Sequence, residues 1–278
     1  MRATVLSEIN IPGLPSASGV EIVGRTAYVI GDDSPYLSLL DAVTLASTGR
    51  VPLFDATGFA YGRIPKPEKP DLECLVALTW SDGRPGLLLL GSGSLPTRAR
   101  GWFVPTEGPQ VPEAVDLTAL YDALRIQLPA GVVLNLEAAA TTATELLLFQ
   151  RTVGRADAAG VFVLPLAATL ALLSGRAGVV PPVAVGWFAL PQIAGCPAGF
   201  SGATFVDGCL FVSASVEIPP MPCSTAPCWA RLWGCWTCRP APPNLPAWPG
   251  PMAALTWARW KAWPCGNTWH PGASSCCW

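Results

Sequence analysis

The chain has 278 residues and a formal net charge of −2, and 51% of its residues are hydrophobic. All 19 acidic residues precede residue 218, so residues 1–217 are mildly acidic and lack the basic stripe that nucleic-acid binding requires. The first twelve residues contain no apolar signal-peptide core, and the three cysteines before residue 218 are scattered. We therefore expect a cytoplasmic protein with no nucleic-acid partner.

A pattern of two short strands joined by a turn recurs four times. Each copy begins with small or acidic residues and ends with an apolar strand followed by polar residues. The copies are Gly19 to Asp33, Leu72 to Ser92, Leu136 to Arg151, and Phe200 to Ser213. They begin roughly 50 to 65 residues apart, which is typical of propeller blades with insertions. The repeat predicts an all-β protein, an incomplete β-propeller of the six-bladed type, with its blades in residues 1–217.

Two segments between the copies predict a strand followed by a short helix. The helices are expected at Ala119 to Arg125, capped by Asp116 or Thr118, and at Ala167 to Ser174. The second helix lies in an apolar stretch, Ala158 to Gly175, that Pro165 interrupts. Because a bilayer-spanning helix needs near 20 uninterrupted apolar residues, we expect no membrane partner.

Acidic residues open the inner strand in three of the four copies. Glu21, Glu73 and Glu137 occupy this place, and Ser201 occupies it in the fourth copy. The inner strands of a propeller line its central funnel, so these side chains are expected to converge there. Carboxylates that face one another repel, which implies a cation or a basic ligand group between them. Alternatively, these acids cap loops by accepting backbone N–H bonds.

Several segments together resemble an uncharacterised family of bacterial β-propeller proteins, distantly similar to the phytase-like propellers. They are Ser16–Glu21, Val29–Asp33, Gly62–Glu73, Gly91–Ser94 with Thr97 and Arg98, and Leu134–Glu137 with Leu147–Arg151. The resemblance runs from about residue 8 to residue 217. It implies calcium bound by acidic side chains, beside Lys and Arg that hold phosphate. Ala138 and Thr152-Val153-Gly154 depart from the family's glycine pattern.

The candidate site residues form an acidic set and a basic set. The candidate metal ligands are Glu21, Asp32, Asp33, Glu73 and Glu137. The candidate anion contacts are Lys66, Lys69, Arg98, Arg100 and Arg151. The Gly91–Ser94 loop could present N–H groups to a phosphate, or it could be an ordinary turn. Asp32 and Asp33 could likewise bind a metal ion, or they could simply favour a turn.

These residues predict binding of a small anionic or metal-bridged ligand at the funnel, with calcium as the candidate cofactor. Residues 1–217 contain no histidine, which removes histidine-based catalysis and histidine-bound zinc from this region. Two alternatives remain: a calcium-dependent phosphoester hydrolase and a purely structural or interaction propeller. The sequence does not indicate which oligomeric state the protein has.

The last 61 residues differ in composition from the rest. Residues 218–278 contain no acid but hold nine of the twelve Trp and seven of the ten Cys. If one nucleotide were lost near Glu217, all sixteen of these codons would have encoded Leu, Met or Val. We therefore interpret residues 218–278 as an irregular, frameshifted tail rather than a domain. One alternative is a zinc knuckle formed by Cys223, Cys228, Cys235, Cys238 and His270, and another is a disulfide-rich module.

Overall fold

Four antiparallel sheets of four strands each dominate the structure. The computed structural model describes residues 11, 13–14, 16–55, 64–66, 68–152, 159–193, 196–218, 228–238 and 255–263. In chain order, the strands are β1 Ala17–Val23, β2 Thr26–Gly31, β3 Tyr36–Asp41, β4 Ser47–Pro52, β5 Leu72–Thr79, β6 Pro85–Gly91, β7 Arg100–Pro105, β8 Glu113–Asp116, β9 Leu136–Thr141, β10 Glu145–Gln150, β11 Ala159–Pro165, β12 Ala184–Phe188, β13 Gln192–Ile193, β14 Cys196–Pro197, β15 Gly199–Val206, β16 Cys209–Ile218, β17 Cys228–Cys238 and β18 Leu255–Trp263.

Each large sheet is a meander of consecutive strands, as in a propeller blade. The blades are β1–β4, β5–β8, β9–β12 and β15–β18. Their first strands are neighbours in sequence order: β1 packs along β5, β5 along β9, and β9 along β15. The first strand of every blade is therefore the inner one, and the predicted β-propeller is confirmed. Among the described strands β15 does not pack along β1, and a count of six blades stays a prediction.

The core lies between the blades. In β6, the side chains of Leu87 and Leu89 pack toward the first blade, while Leu88 and Leu90 pack toward the third. All four are fully buried. Burial on both faces explains why this strand is an uninterrupted apolar run rather than an alternating one.

Both predicted helices are present. The first, α1, covers Thr118–Ile126, and the second, α2, covers Leu166–Leu173. Asp116 accepts a hydrogen bond from the Thr118 N–H at 2.9 Å, so Asp116 satisfies a free donor at the start of α1. Strand β11 precedes α2, as expected from Pro165. None of the helices in the described residues is both long and apolar enough to cross a membrane.

Two stretches of residues 218–278 are regular strands. Strand β17 pairs with β16 over Cys209 to Ile218, and β18 pairs with β17. The expectation of an irregular tail is therefore wrong for Cys228–Cys238 and Leu255–Trp263. Tryptophan favours strands, and the edge of β16 offers unpaired N–H and C=O groups to a further strand. The remaining residues after Ile218 lie outside the described part of the chain, and the frameshift hypothesis stays a prediction.

Candidate functional site

All four inner strands carry a β-bulge near their first residue. In β5, for example, Leu72 pairs with Gly91 and Cys74 pairs with Leu90, so the residue between them has no cross-strand partner. A bulge releases a side chain from the ladder and re-aims it. The residues at the four bulges are Ser18, Glu73, Glu137 and Ser201. They lie at the same end of their blades, which we call the funnel end.

The bulges correct one predicted equivalence. Glu21 was expected to match Glu73 and Glu137, but Ser18 holds that place in the first blade. Glu21 pairs with Tyr28, three residues farther along β1. Burial raises the pKa of Glu21 to about 7, and hydrogen bonds from the backbone of Ala77 and Ile22 offset part of this rise. Because Ala77 belongs to β5, the Glu21 carboxyl lies where the first two blades meet.

Substitution Glu21→Gln is expected to change how stability depends on pH. Since the pKa in the folded protein is about 7, above the ordinary 4.5, the folded state binds this proton more tightly. The wild-type free energy of unfolding therefore falls as pH rises from 4.5 through 7, and it stays lower above that range. The glutamine variant lacks this fall and should be more stable at pH 8, on the order of 3 kcal/mol.

Urea unfolding of both proteins from pH 4.5 to 8 measures this difference. The exposed Glu107→Gln is the control and should follow the wild-type curve. Parallel curves for Glu21→Gln and wild type would show that Glu21 does not titrate in this window.

Three carboxylates from the first two blades converge at the funnel end. One oxygen each of Asp32, Asp71 and Glu73 lies within 4.8 Å of the other two. Asp71 has a left-handed backbone, with φ of 57°, a conformation that Asp tolerates better than most residues. Burial, and then the charges of Glu137, Asp32 and Asp71, raise the pKa of Glu73 well above its ordinary value. A hydrogen bond from Ser18 to Glu73 offsets part of that rise.

The ammonium group of Lys69 lies among these acids. Its Nζ is 2.6 Å from Asp32 Oδ2, 2.8 Å from Asp71 Oδ1 and 3.5 Å from Asp33 Oδ1. Burial alone lowers the pKa of Lys69, but the hydrogen bonds to Asp32 and Asp71 outweigh it and raise this pKa. Burial nevertheless raises the pKa of Asp32, because Lys69 compensates only part of its lost hydration. The Lys69 side chain is therefore protonated and is the counter-ion of the carboxylates around it.

Arg98 and the Gly91–Ser94 loop are the other parts of the second blade that contribute to this site. Arg98 Nη1 is 2.7 Å from Asp71 Oδ2 and 2.6 Å from Ser94 Oγ. Ser92 Oγ donates to Asp71 Oδ2 at 2.5 Å. Helix α1 holds this loop, because the Tyr121 hydroxyl donates to Gly91 O at 2.6 Å and Arg125 Nη2 donates to Gly93 O at 3.0 Å. The serine hydroxyls therefore position Asp71 and Arg98.

The third blade adds an acid and its own counter-ion. Arg151 Nη1 donates to Glu137 Oε2 at 3.1 Å, and Asn135 Nδ2 donates to Glu137 Oε1 at 2.8 Å. The Arg151 side chain lies over Gly199, where a Cβ atom would come within 2.6 Å of Arg151 Cγ. Arg151 thus connects the third blade to the fourth.

These contacts define one charge cluster: Asp32, Asp33, Lys69, Asp71, Glu73, Arg98, Glu137 and Arg151. Its acids outnumber its cations five to three. Asp32 Oδ1 and Arg98 Nε are buried and have no hydrogen-bond partner among the described residues. The cluster therefore has an excess of negative charge, an unpaired acceptor and an unpaired donor.

The structure brings together seven of the ten predicted site residues. Lys66 is exposed, and Arg100 is exposed in β7, where its Nε donates to Thr97 O. Sequence reasoning missed Asp71, which contacts both Lys69 and Arg98. Ser16, Asp71 and Asn135 are all polar and stand two residues before a bulge residue, an equivalence that becomes visible only once the bulges are known.

Two solved structures are similar to this chain at low sequence identity. A propeller domain of Cps50 (Swd1) from Myceliophteria thermophila is 11% identical, with a TM-score of 0.36, and the match covers 88% of this chain and 86% of that domain. A mutant apocarotenoid oxygenase from Synechocystis is 10% identical, with a TM-score of 0.33. That match covers 77% of this chain, which spans 45% of the oxygenase's length.

Among proteins with curated functions, none matches this chain. Residues 13–235 match DUF6929, a family of unknown function, and this range includes all four bulge residues and the whole charge cluster. The match also extends past Glu217 into β17. Since it covers well over half of the sequence, the chain belongs to the DUF6929 family.

Proposed function

We propose that the funnel end binds a divalent cation through Asp32, Asp71 and Glu73, and that the cation bridges a small anionic ligand. One observation carries this proposal: three carboxylate oxygens from two blades lie within 4.8 Å of one another. A spacing of this kind lets one ion contact all three oxygens without a rearrangement of the blades. The protein would then act as a binding propeller.

The electrostatics of the charge cluster support a cation. Burial and neighbouring acids raise the pKa of Glu73, so its ionised form is costly without a further positive charge nearby. A bound cation would supply that charge. It would also give Asp32 Oδ1, which is buried without a hydrogen-bond partner among the described residues, a favourable contact.

The donor set fits calcium. Calcium takes six to eight oxygen ligands and tolerates irregular geometry, and carboxylates are its usual protein ligands. Asp32, Asp71 and Glu73 would hold the ion and supply part of that shell. An anionic ligand and water would supply the rest, with Arg98 close enough to Asp71 to contact the same anion.

A purely structural propeller is the second candidate, and Lys69 favours it. Its ammonium group already pairs with Asp32 and Asp71 and neutralises part of their charge. In that case the charge cluster only fastens the first blade to the second, and no ligand is needed. Calcium binding separates the two candidates.

Substitution Asp71→Asn is expected to weaken calcium binding at least about tenfold, because it removes one charged ligand. Asparagine also tolerates the left-handed backbone at this position, so the substitution changes charge more than conformation. Isothermal titration calorimetry with calcium chloride measures the affinity. The exposed Glu107→Gln serves as the matched control and should bind as wild type does. Equal affinities for Asp71→Asn and wild type, or no heat with wild type, would contradict the proposal.

A further inference from the structure

We propose that Lys69 is an exchangeable counter-ion that couples cation binding to anion binding at the funnel end. The inference rests on the proposed function and specifies how that site is regulated. The Lys69 Nζ atom lies 2.6 Å from Asp32 Oδ2 and 2.8 Å from Asp71 Oδ1. Asp32 and Asp71 are two of the three acids that would hold the cation. The ammonium group and the cation therefore compete for the same two carboxylates.

Competition for Asp71 extends to Arg98. One Asp71 oxygen contacts Lys69, and the other contacts Arg98 Nη1 at 2.7 Å. A divalent ion bound to Asp71 would weaken the interactions by which the Asp71 carboxylate now stabilises Lys69 and Arg98. The Lys69 side chain is only 10% exposed and the Arg98 side chain 16%. Water can therefore replace only part of the lost interaction, and two buried cations without a partner are strongly unfavourable.

An anion beside the bound cation removes this cost. It would ligate the cation directly and accept hydrogen bonds from Lys69 and from Arg98, whose Nε atom lacks a partner among the described residues. Either ligand alone disturbs the ion pairs of the charge cluster, whereas both together leave every charge compensated. Cation and anion should therefore each raise the affinity for the other by the same factor.

The test is a calcium titration by isothermal calorimetry, on wild type and on Lys69→Met, each with and without methylphosphonate. Methylphosphonate is a phosphate-like anion that contains no ester, so hydrolysis cannot contribute heat. For wild type we expect methylphosphonate to tighten calcium binding by about tenfold. For Lys69→Met, which keeps most of the length of the side chain but removes its charge, we expect calcium alone to bind about tenfold more tightly than to wild type. Methylphosphonate should then tighten calcium binding by a smaller factor than in wild type, because only its contacts with the cation and Arg98 remain.

Two results would overturn the inference. One is a wild-type calcium affinity that methylphosphonate leaves unchanged, and the other is a Lys69→Met variant that binds calcium no more tightly than wild type. Absence of calcium binding in every arm would instead remove the proposed function, and this inference with it. If Lys69→Met does not fold, the wild-type arms decide, because they measure the coupling without any substitution.

Discussion

Substitution Gly91→Ala is expected to lower the free energy of unfolding by about 2–3 kcal/mol and to disorganise the charge cluster. A Cβ atom at Gly91 would lie 2.5 Å from Arg98 O and 2.6 Å from Pro70 O. Both neighbours are backbone carbonyls, so no side-chain rotation relieves the clash. The backbone that must shift carries Asp71 on one side and Arg98 on the other, so the fold and the site are damaged together.

Urea unfolding and calcium calorimetry on the same variant measure the two effects. Gly49→Ala is the matched control, because a Cβ atom there meets nothing within 4 Å and the residue is also in a strand. It should leave stability and binding close to wild type. A Gly91→Ala protein with wild-type stability would mean that β5, β6 and β7 separate more easily than their close packing indicates.

Removal of Arg151 is expected to have the largest effect on stability. In Arg151→Met the Glu137 carboxylate loses its counter-ion while only 14% of its side chain is exposed. A buried charge left without its partner typically costs about 3–5 kcal/mol. The methionine still fills the space over Gly199, so the change reports mainly on charge. Chemical unfolding gives the value.

The double variant Arg151→Met with Glu137→Gln separates charge from packing. If the lost stability comes from the Glu137 carboxylate after it has lost Arg151, the second substitution should recover most of it. No recovery would show instead that Arg151 acts by packing between the third and fourth blades. Asn135 supports the glutamine as it supports the glutamate, because its Nδ2 can still donate to the side-chain oxygen.

The blades could be predicted from the sequence because their inner two strands repeat a local pattern. The runs Leu87–Leu90 and Leu146–Phe149 are apolar, end at polar residues and follow tight turns, and both form strands buried between blades. Helices α1 and α2 were equally local and lie where they were expected. The tail was misjudged over β17 and β18 because composition does not reveal which strand edge is open.

The site was only partly predictable because a bulge changes register without a sequence signature. Glu21 is the acid near the start of the first copy. The extra residue of the bulge nevertheless makes Ser18 the position in the repeat that is equivalent to Glu73 and Glu137. Glu21 lies three residues farther along β1 than Ser18, away from the funnel end. For this reason the pattern located the right strand but the wrong side chain.

Lys69 and Asp71 show a second limit of sequence reasoning. Both lie in a charged, Pro-rich loop, and the sequence alone could not distinguish an anion-binding lysine from a counter-ion. That distinction depends on contacts with Asp32, 37 residues away along the chain. A cation or a basic ligand group is expected from the sequence between Glu21, Glu73 and Glu137, whereas the structure places Lys69 of the chain itself among Asp32, Asp33 and Asp71.

The bulges also bear on how members of this family can diverge. Ser18, Glu73, Glu137 and Ser201 stand at the bulges, where the register of strand pairing shifts, so the hydrogen bonds that hold each blade do not depend on which side chain stands there. Exchange of serine, glutamate or another polar residue at these four places would alter the chemistry of the funnel end while the strand pairing stays the same. The side chains at the funnel end can thus change without a change in the strand pairing.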